Sequence, residues 1–218
     1  MTMRVRDVMA HTVVAVTKDS SFAQVVATLE RFRVGAVAVI DADRRVLGVV
    51  SEDDLLLKET TPAGHGGLLR HRRRRRRRDH RKAGGTTAGE LMTAPAITVT
   101  PGTPVRDAAS LMHEKRIKQL PVIDPVHGRV LGMLRQSDLL KVFERPEREL
   151  RAEIRRAIAD RTALDPDALS IGIEDGMVTI GGAAVPRSQA AGLAEAVCSV
   201  DGVIAVDLDA AVAADEAL

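Results

Sequence analysis

The chain has 218 residues, 45% hydrophobic and 28% charged, the balance of a globular protein with room for one or two cored domains. Three Phe (Phe22, Phe32, Phe143) and no Trp or Tyr leave the core to Val, Leu, Ile, Ala and Met, and argue against an aromatic platform for single-stranded nucleic acid. The formal charge of +2 conceals a run of ten Arg or Lys and one Asp between Arg70 and Lys82, so the rest of the chain is acidic.

The first residues, MTMRVRDVMAHT, lack the apolar stretch of a secretory signal, and no run of 18 apolar residues occurs in the sequence. A short strand is expected at Thr12–Val16. A helix follows, started by Ser20-Ser21, with Phe22, Val25, Val26, Leu29 and Phe32 on one apolar face. Ala36–Ile40 and Val46–Val50 read as buried strands joined by a turn at Asp41–Arg45, and a helix begins near Ser51. Thr60–Gly89, rich in Gly, Thr, His and Arg, has no apolar period and repels itself, so a mobile insert is expected over 60–87.

From Glu90 the chain repeats itself, 83 to 84 residues on. Val8-Met9 matches Leu91-Met92, Val39-Ile40-Asp41 matches Val122-Ile123-Asp124, and Asp54-Leu55-Leu56 matches Asp138-Leu139-Leu140. The second copy has a strand lead at Ala96–Val99 and a helix start at Thr103-Pro104, with Val105, Ala108, Ala109 and Met112 as its stripe. Strands at Leu120–Ile123 and Val130–Leu134 flank a turn at Asp124–Arg129, and a closing helix begins near Gln136. Two copies imply a pseudo-symmetric pair with clefts between the halves.

A third pattern begins after Phe143. Leu150, Ile154, Ala157 and Ile158 form a helical face. Leu169, Ile171 and Ile173 alternate as a strand, Asp175-Gly176 turns, and Val178 and Ile180 alternate again. Leu193, Val197 and Val200 fit a second helix, and Ile204, Val206 and Leu208 a last strand. Cys198, the one cysteine, excludes an internal disulfide, fits a reducing cytoplasm, and is expected to pack as a small apolar group. The fold class is α/β (α+β). Two pseudo-symmetric β-α-β-β-α units occupy 1–59 and 88–145, an α-β-β-α-β domain occupies 147–212, and a frayed tail covers 213–218.

Ser51-x-x-Asp54 is the sharpest local motif. It reads as a capping box, with Ser51 as N-cap and Asp54 three residues on. A carboxylate can accept two hydrogen bonds from a vicinal diol and a helix start can supply N–H groups to an anion, but taken alone the motif favours the cap. Asp138 has Arg135 where Asp54 has Ser51. Taken alone, Asp138 reads as a first-turn acid favoured by the helix dipole. The six histidines show no metal-ligand spacing, and no G-x-S-x-G, P-loop or G-x-G-x-x-G sequence is present, so no catalytic or metal residue is nominated. Arg72–Arg78 suits weak, salt-sensitive binding to nucleic acid or another polyanion.

The words Val8-Met9, Leu120-Pro121-Val122-Ile123-Asp124, Gly48-Val49-Val50-Ser51-Glu52-Asp53-Asp54-Leu55 and Gly132-Met133-Leu134-Arg135-Gln136-Ser137-Asp138-Leu139 resemble the CBS domain, which occurs in tandem. The resemblance covers both copies in register. It implies an adenosyl ligand (AMP, ADP, ATP or S-adenosylmethionine) in the clefts, with Asp54 or Asp138 on the ribose and Ser51 near the phosphate; Arg135, standing where the family has Ser or Thr, departs from the pattern and either weakens the second phosphate contact or replaces it with a direct Arg–phosphate pair. The adenine would lie against Val14 and Val34 in one cleft and against Ile97 and Ile117 in the other. Each cleft would draw its Asp from one repeat and its apolar wall from the other. CBS pairs usually dimerise, so a homodimer is expected. The segment Asp175-Gly176-Met177-Val178-Thr179-Ile180-Gly181-Gly182 resembles the BON domain, which implies contact with phospholipid or a partner protein. Together these resemblances imply a bacterial cytoplasmic regulatory protein without catalysis. The alternative is a polyanion- or nucleic-acid-binding protein acting through Arg72–Arg78.

Overall fold

The computed structural model describes residues 3–60, 85–182 and 185–208, which form two compact units. Among the described residues, one comprises 5–60, 85–103 and 108–136 and holds most of both repeats. The other comprises 137–208 with the short segments 3–4 and 104–107. The run Arg72–Arg78 and the tail 213–218 lie outside the described residues. Among the described residues no helix is long and apolar enough to cross a membrane.

In the first repeat, α1 (Val5–Val8) leads to β1 (Ala15–Thr17), α2 (Phe22–Phe32), β2 (Ala36–Ile40), β3 (Val46–Ser51) and α3 (Glu52–Thr60). Ser21 starts α2 through a capping box. Its Oγ accepts the Gln24 N–H at 3.3 Å, and Gln24 Oε1 accepts the Ser21 N–H at 2.8 Å. The predicted apolar face buries Val25 and Leu29, but Phe32 is half exposed because it falls on the last turn, beyond the sheet edge's cover. Strands β1 and β2 pair in parallel and β2 and β3 antiparallel, with Val37, Val39 and Val50 wholly buried. Each such side chain contributes about 1.5–3 kcal/mol.

The second repeat runs through α4 (Ala88–Leu91), α5 (Val105–Lys115), β4 (Gln119–Ile123) and β5 (Val130–Arg135). Its hairpin copies the first, down to a register irregularity at the same step, Val39/Ile40 in one and Val122/Ile123 in the other. The strand expected at Ala96–Val99 is reduced to a bridge between Val99 and Val122. Proline explains the loss. In the first copy the Ala38 N–H donates to Val14 O at 3.3 Å, whereas the equivalent Pro121 has no N–H to give Ile97. The closing helix near Gln136 is a 3-10 helix, Gln136–Phe143. Gly85–Thr87, read as the end of the insert, instead run along the first repeat: Phe22 N–H donates to Thr86 O at 2.8 Å, and Thr87 bridges Ser21.

The two copies interlock by exchange. Ala10 and Met133 trade N–H···O bonds at 2.9 Å each, and Thr93 and Val49 do the same at 2.8 and 3.1 Å. Each lead segment thus pairs with the other copy's second hairpin strand. Both exchanges need glycine. A Cβ on Gly48 would lie 2.6 Å from Met92 Sδ and 2.9 Å from Thr93 O, and one on Gly132 would lie 2.6 Å from Ala10 O.

The other unit contains α6 (Glu147–Arg161), β6 (Leu169–Glu174), β7 (Met177–Gly182), α7 (Arg187–Cys198) and β8 (Ala205–Asp207). Its sheet has the order β6-β7-β8, antiparallel then parallel, over a core that includes Leu150, Ile154, Ile158, Ile180 and Leu193. Asp175 and Gly176 both have positive φ, 46° and 79°, as a tight two-residue hairpin requires. Cys198, expected in the core, is exposed: one residue past buried Val197, it is turned about 100° around the helix toward solvent.

Candidate functional site

Helices α2 and α5 end in the same way. Arg33 and Arg116 adopt positive φ (50° and 54°), and the next N–H reaches back five residues: Val34 to Leu29 O at 3.1 Å, Ile117 to Met112 O at 3.0 Å. This helix stop turns the chain sharply into β2 or β4. It places Ile117 in one cleft between the repeats and Val34 in the other. A second matched pair fixes the far wall. Glu52 N–H donates to Gly35 O at 3.0 Å, and Gln136 N–H donates to the equivalent Lys118 O at 2.8 Å.

The first cleft encloses about 170 Å³. The first repeat contributes Ser51 and Asp54 where β3 becomes α3. The second contributes Ile97 and Ile117 as an apolar wall. Ile97 is 37% exposed, an apolar surface left open by the fold. Ser51 N–H and Ser51 Oγ both donate to Asp54 Oδ2, each at 2.9 Å. The hydroxyl is therefore a donor to the carboxylate, and Asp54 is held in a fixed orientation. A carboxylate has about four acceptor sites, and Ser51 donates to one oxygen of Asp54 twice.

The cleft walls differ in charge. The first repeat contributes Glu52, Asp53 and Asp54, the second Arg116 and Lys118. The arrangement can hold hydroxyl donors at Asp54, an anionic group at the cations, and a flat apolar ring at Ile97 and Ile117. Gln119 also lines this cleft. Arg116, Lys118 and Gln119 were not nominated from sequence. The signal was present: Arg33–Ala36 aligns with Arg116–Gln119, two residues before the matched Val-Ile-Asp words.

A second cleft of about 260 Å³ is lined by Val14 and Val34 from the first repeat and by Gln119, Met133 and Arg135 from the second. Asp138 belongs to the other compact unit. It is 3% exposed in the first turn of its 3-10 helix, with Lys141 Nζ 3.6 Å from Oδ1. No group of three or more His, Cys, Asp or Glu able to hold a metal occurs among the described residues.

Comparison with known proteins follows this geometry. The family model of the CBS domain matches residues 5–59 and 88–145. Inosine-5′-monophosphate dehydrogenase of Mycobacterium tuberculosis (strain ATCC 25618 / H37Rv) is 28% identical over 129 residues, 59% of this chain and 20% of the dehydrogenase. The chain thus spans about a fifth of that relative's length. Uncharacterized protein MJ1426 of Methanocaldococcus jannaschii is 24% identical over 155 residues, covering 65% of this chain and 91% of its own. Among solved structures, CBSX2 in complex with AMP superposes with a TM-score of 0.55 at 26% identity, over 63% of this chain and 94% of that one. The CBS domain pair of protein MJ0100, in complex with 5′-methylthioadenosine and S-adenosyl-L-methionine, gives 0.53 at 18% identity, over 66% and 98%, a likeness of fold.

Proposed function

Because this chain belongs to the CBS domain family through both of its repeats, we propose that it is a non-enzymatic regulatory protein that binds an adenine nucleotide or related adenosyl ligand between them. The observation that carries the reading is the first cleft, where Ser51-held Asp54 from one repeat faces Ile97 and Ile117 from the other. Asp54 takes the ribose hydroxyls, the two isoleucines cover the base, and Arg116 and Lys118 meet the phosphate. A relative of the same fold, CBSX2, has been crystallised with AMP, which supports this ligand class.

Regulation follows from linkage: a ligand that prefers one arrangement of the repeats shifts its population by the difference in affinity. The C-terminal α-β-β-α-β unit, read as BON-like, would pass occupancy to a partner protein or a phospholipid surface, and the working form is a cytoplasmic homodimer. Thermal unfolding against AMP, ADP, ATP and S-adenosylmethionine tests the reading. A ligand at 100 times its Kd adds about 2.7 kcal/mol to the folded state. The shift should be present in wild type and reduced in Asp54→Ala, which removes the first cleft's contribution; no shift with any of the four removes the nucleotide reading.

The Arg72–Arg78 run supports a second reading, sequence-blind binding to a polyanion. It predicts affinity for heparin that falls steeply with salt and disappears when 72–78 is deleted.

A further inference from the structure

Gln119, the first residue of β4, lines both clefts. Its Oε1 is buried and has no hydrogen-bond partner among the described residues. Its Nε2 end lies against Gly35, where an added Cβ would meet it at 3.2 Å. A buried amide oxygen without a donor loses the hydrogen bonds it made to water, so this carboxamide gains by turning toward any donor that a neighbouring cleft offers. The exocyclic amino group of an adenine is such a donor. The equivalent residue of the first repeat is Ala36, which also lines both clefts but carries no polar side-chain atom. One carboxamide thus stands between two cavities and can turn into only one of them.

We propose that Gln119 couples the two clefts. Ligand in one captures the carboxamide and lowers the affinity of the other. The inference rests on the nucleotide reading above and adds to it a negative interaction between sites.

Titration calorimetry of the full chain with AMP tests it in four forms: wild type, D54A, Q119M and D54A/Q119M. D54A disables the first cleft, so its remaining binding step reports the second cleft with Gln119 uncommitted. That step should be about fivefold tighter than the second step of wild type. The gain should vanish between Q119M and D54A/Q119M. Q119A in the same comparison serves if Q119M does not melt cooperatively. The proposal is overturned if D54A leaves the second step unchanged, if the gain persists without Gln119, or if wild type binds one AMP per chain and D54A none. If wild type binds no AMP, the same four forms are titrated with whichever of ADP, ATP or S-adenosylmethionine raises its unfolding temperature; failure to bind any of the four overturns the nucleotide reading with it, which separates the two failures.

Discussion

At the scale of single residues, the account turns on Asp54 and its two bonds from Ser51. Ser51→Ala deletes the Oγ donor but keeps the N–H, so it should cost about 0.5–1.5 kcal/mol of stability and weaken AMP binding less than Asp54→Ala does; urea melts and calorimetry on both variants check this. Glu90 provides a pH test. It accepts the backbone N–H groups of Thr86 and Thr87 at 2.8 and 3.2 Å, and the Thr86 bonds in particular hold its carboxyl below the ordinary 4.5. With the folded pKa depressed, the stabilisation is complete above the ordinary value and is lost as pH falls through the lowered one. Glu90→Gln should flatten that acid limb of the stability–pH curve while leaving the curve's shape near neutrality unchanged. Ser51 and Asp54 were legible in sequence because they share one short motif, and Ile97 and Ile117 because the repeat maps them onto Val14 and Val34. Arg116, Lys118 and Gln119 were less legible. They lie between the end of α5 and the first residue of β4, where Lys118 and Gln119 stand opposite Gly35 and Ala36, so the copies align but their side chains differ.

At the scale of elements, the repeats are held by close backbone exchange, and the sequence words that first disclosed the duplication are themselves the contact surfaces. Met92 lies over Gly48 and Met9 over Gly132. Gly132→Ala drives a Cβ to 2.6 Å from a backbone oxygen, which cannot move as a side-chain tip can. It should destabilise by about 1–3 kcal/mol, read as a lower urea midpoint with the slope unchanged. The β-hairpins were legible because their strands are continuous apolar runs bounded by Asp-containing turns. The lost strand at Ala96–Val99 was not, because its cause is a missing donor on another strand, at Pro121. Cys198 was misplaced for a geometric reason: adjacency to Val197 in sequence is a rotation of about 100° on a helix.

At the scale of the whole molecule, the repeats and the C-terminal unit each own a hydrophobic core. The cluster containing Ile154, Ile180 and Leu193 lies entirely within the C-terminal unit, and the cluster around Val37, Val39 and Leu91 within the first repeat and its α4 neighbour. Such cores unfold as separate cooperative units. Differential scanning calorimetry should therefore show two transitions, of which AMP raises only the one belonging to the repeats; a single transition raised as a whole would mean that the units melt together. The duplication and the third pattern made this division visible in sequence, since each has its own apolar period. The central claim is that the repeats bind an adenosyl ligand through Asp54. Titration calorimetry of AMP into wild type and Asp54→Ala tests it most directly. The account predicts saturable binding by wild type in which the step at the first cleft is weakened at least tenfold, about 1.4 kcal/mol, in the variant. An unchanged isotherm from a folded Asp54→Ala protein would contradict it.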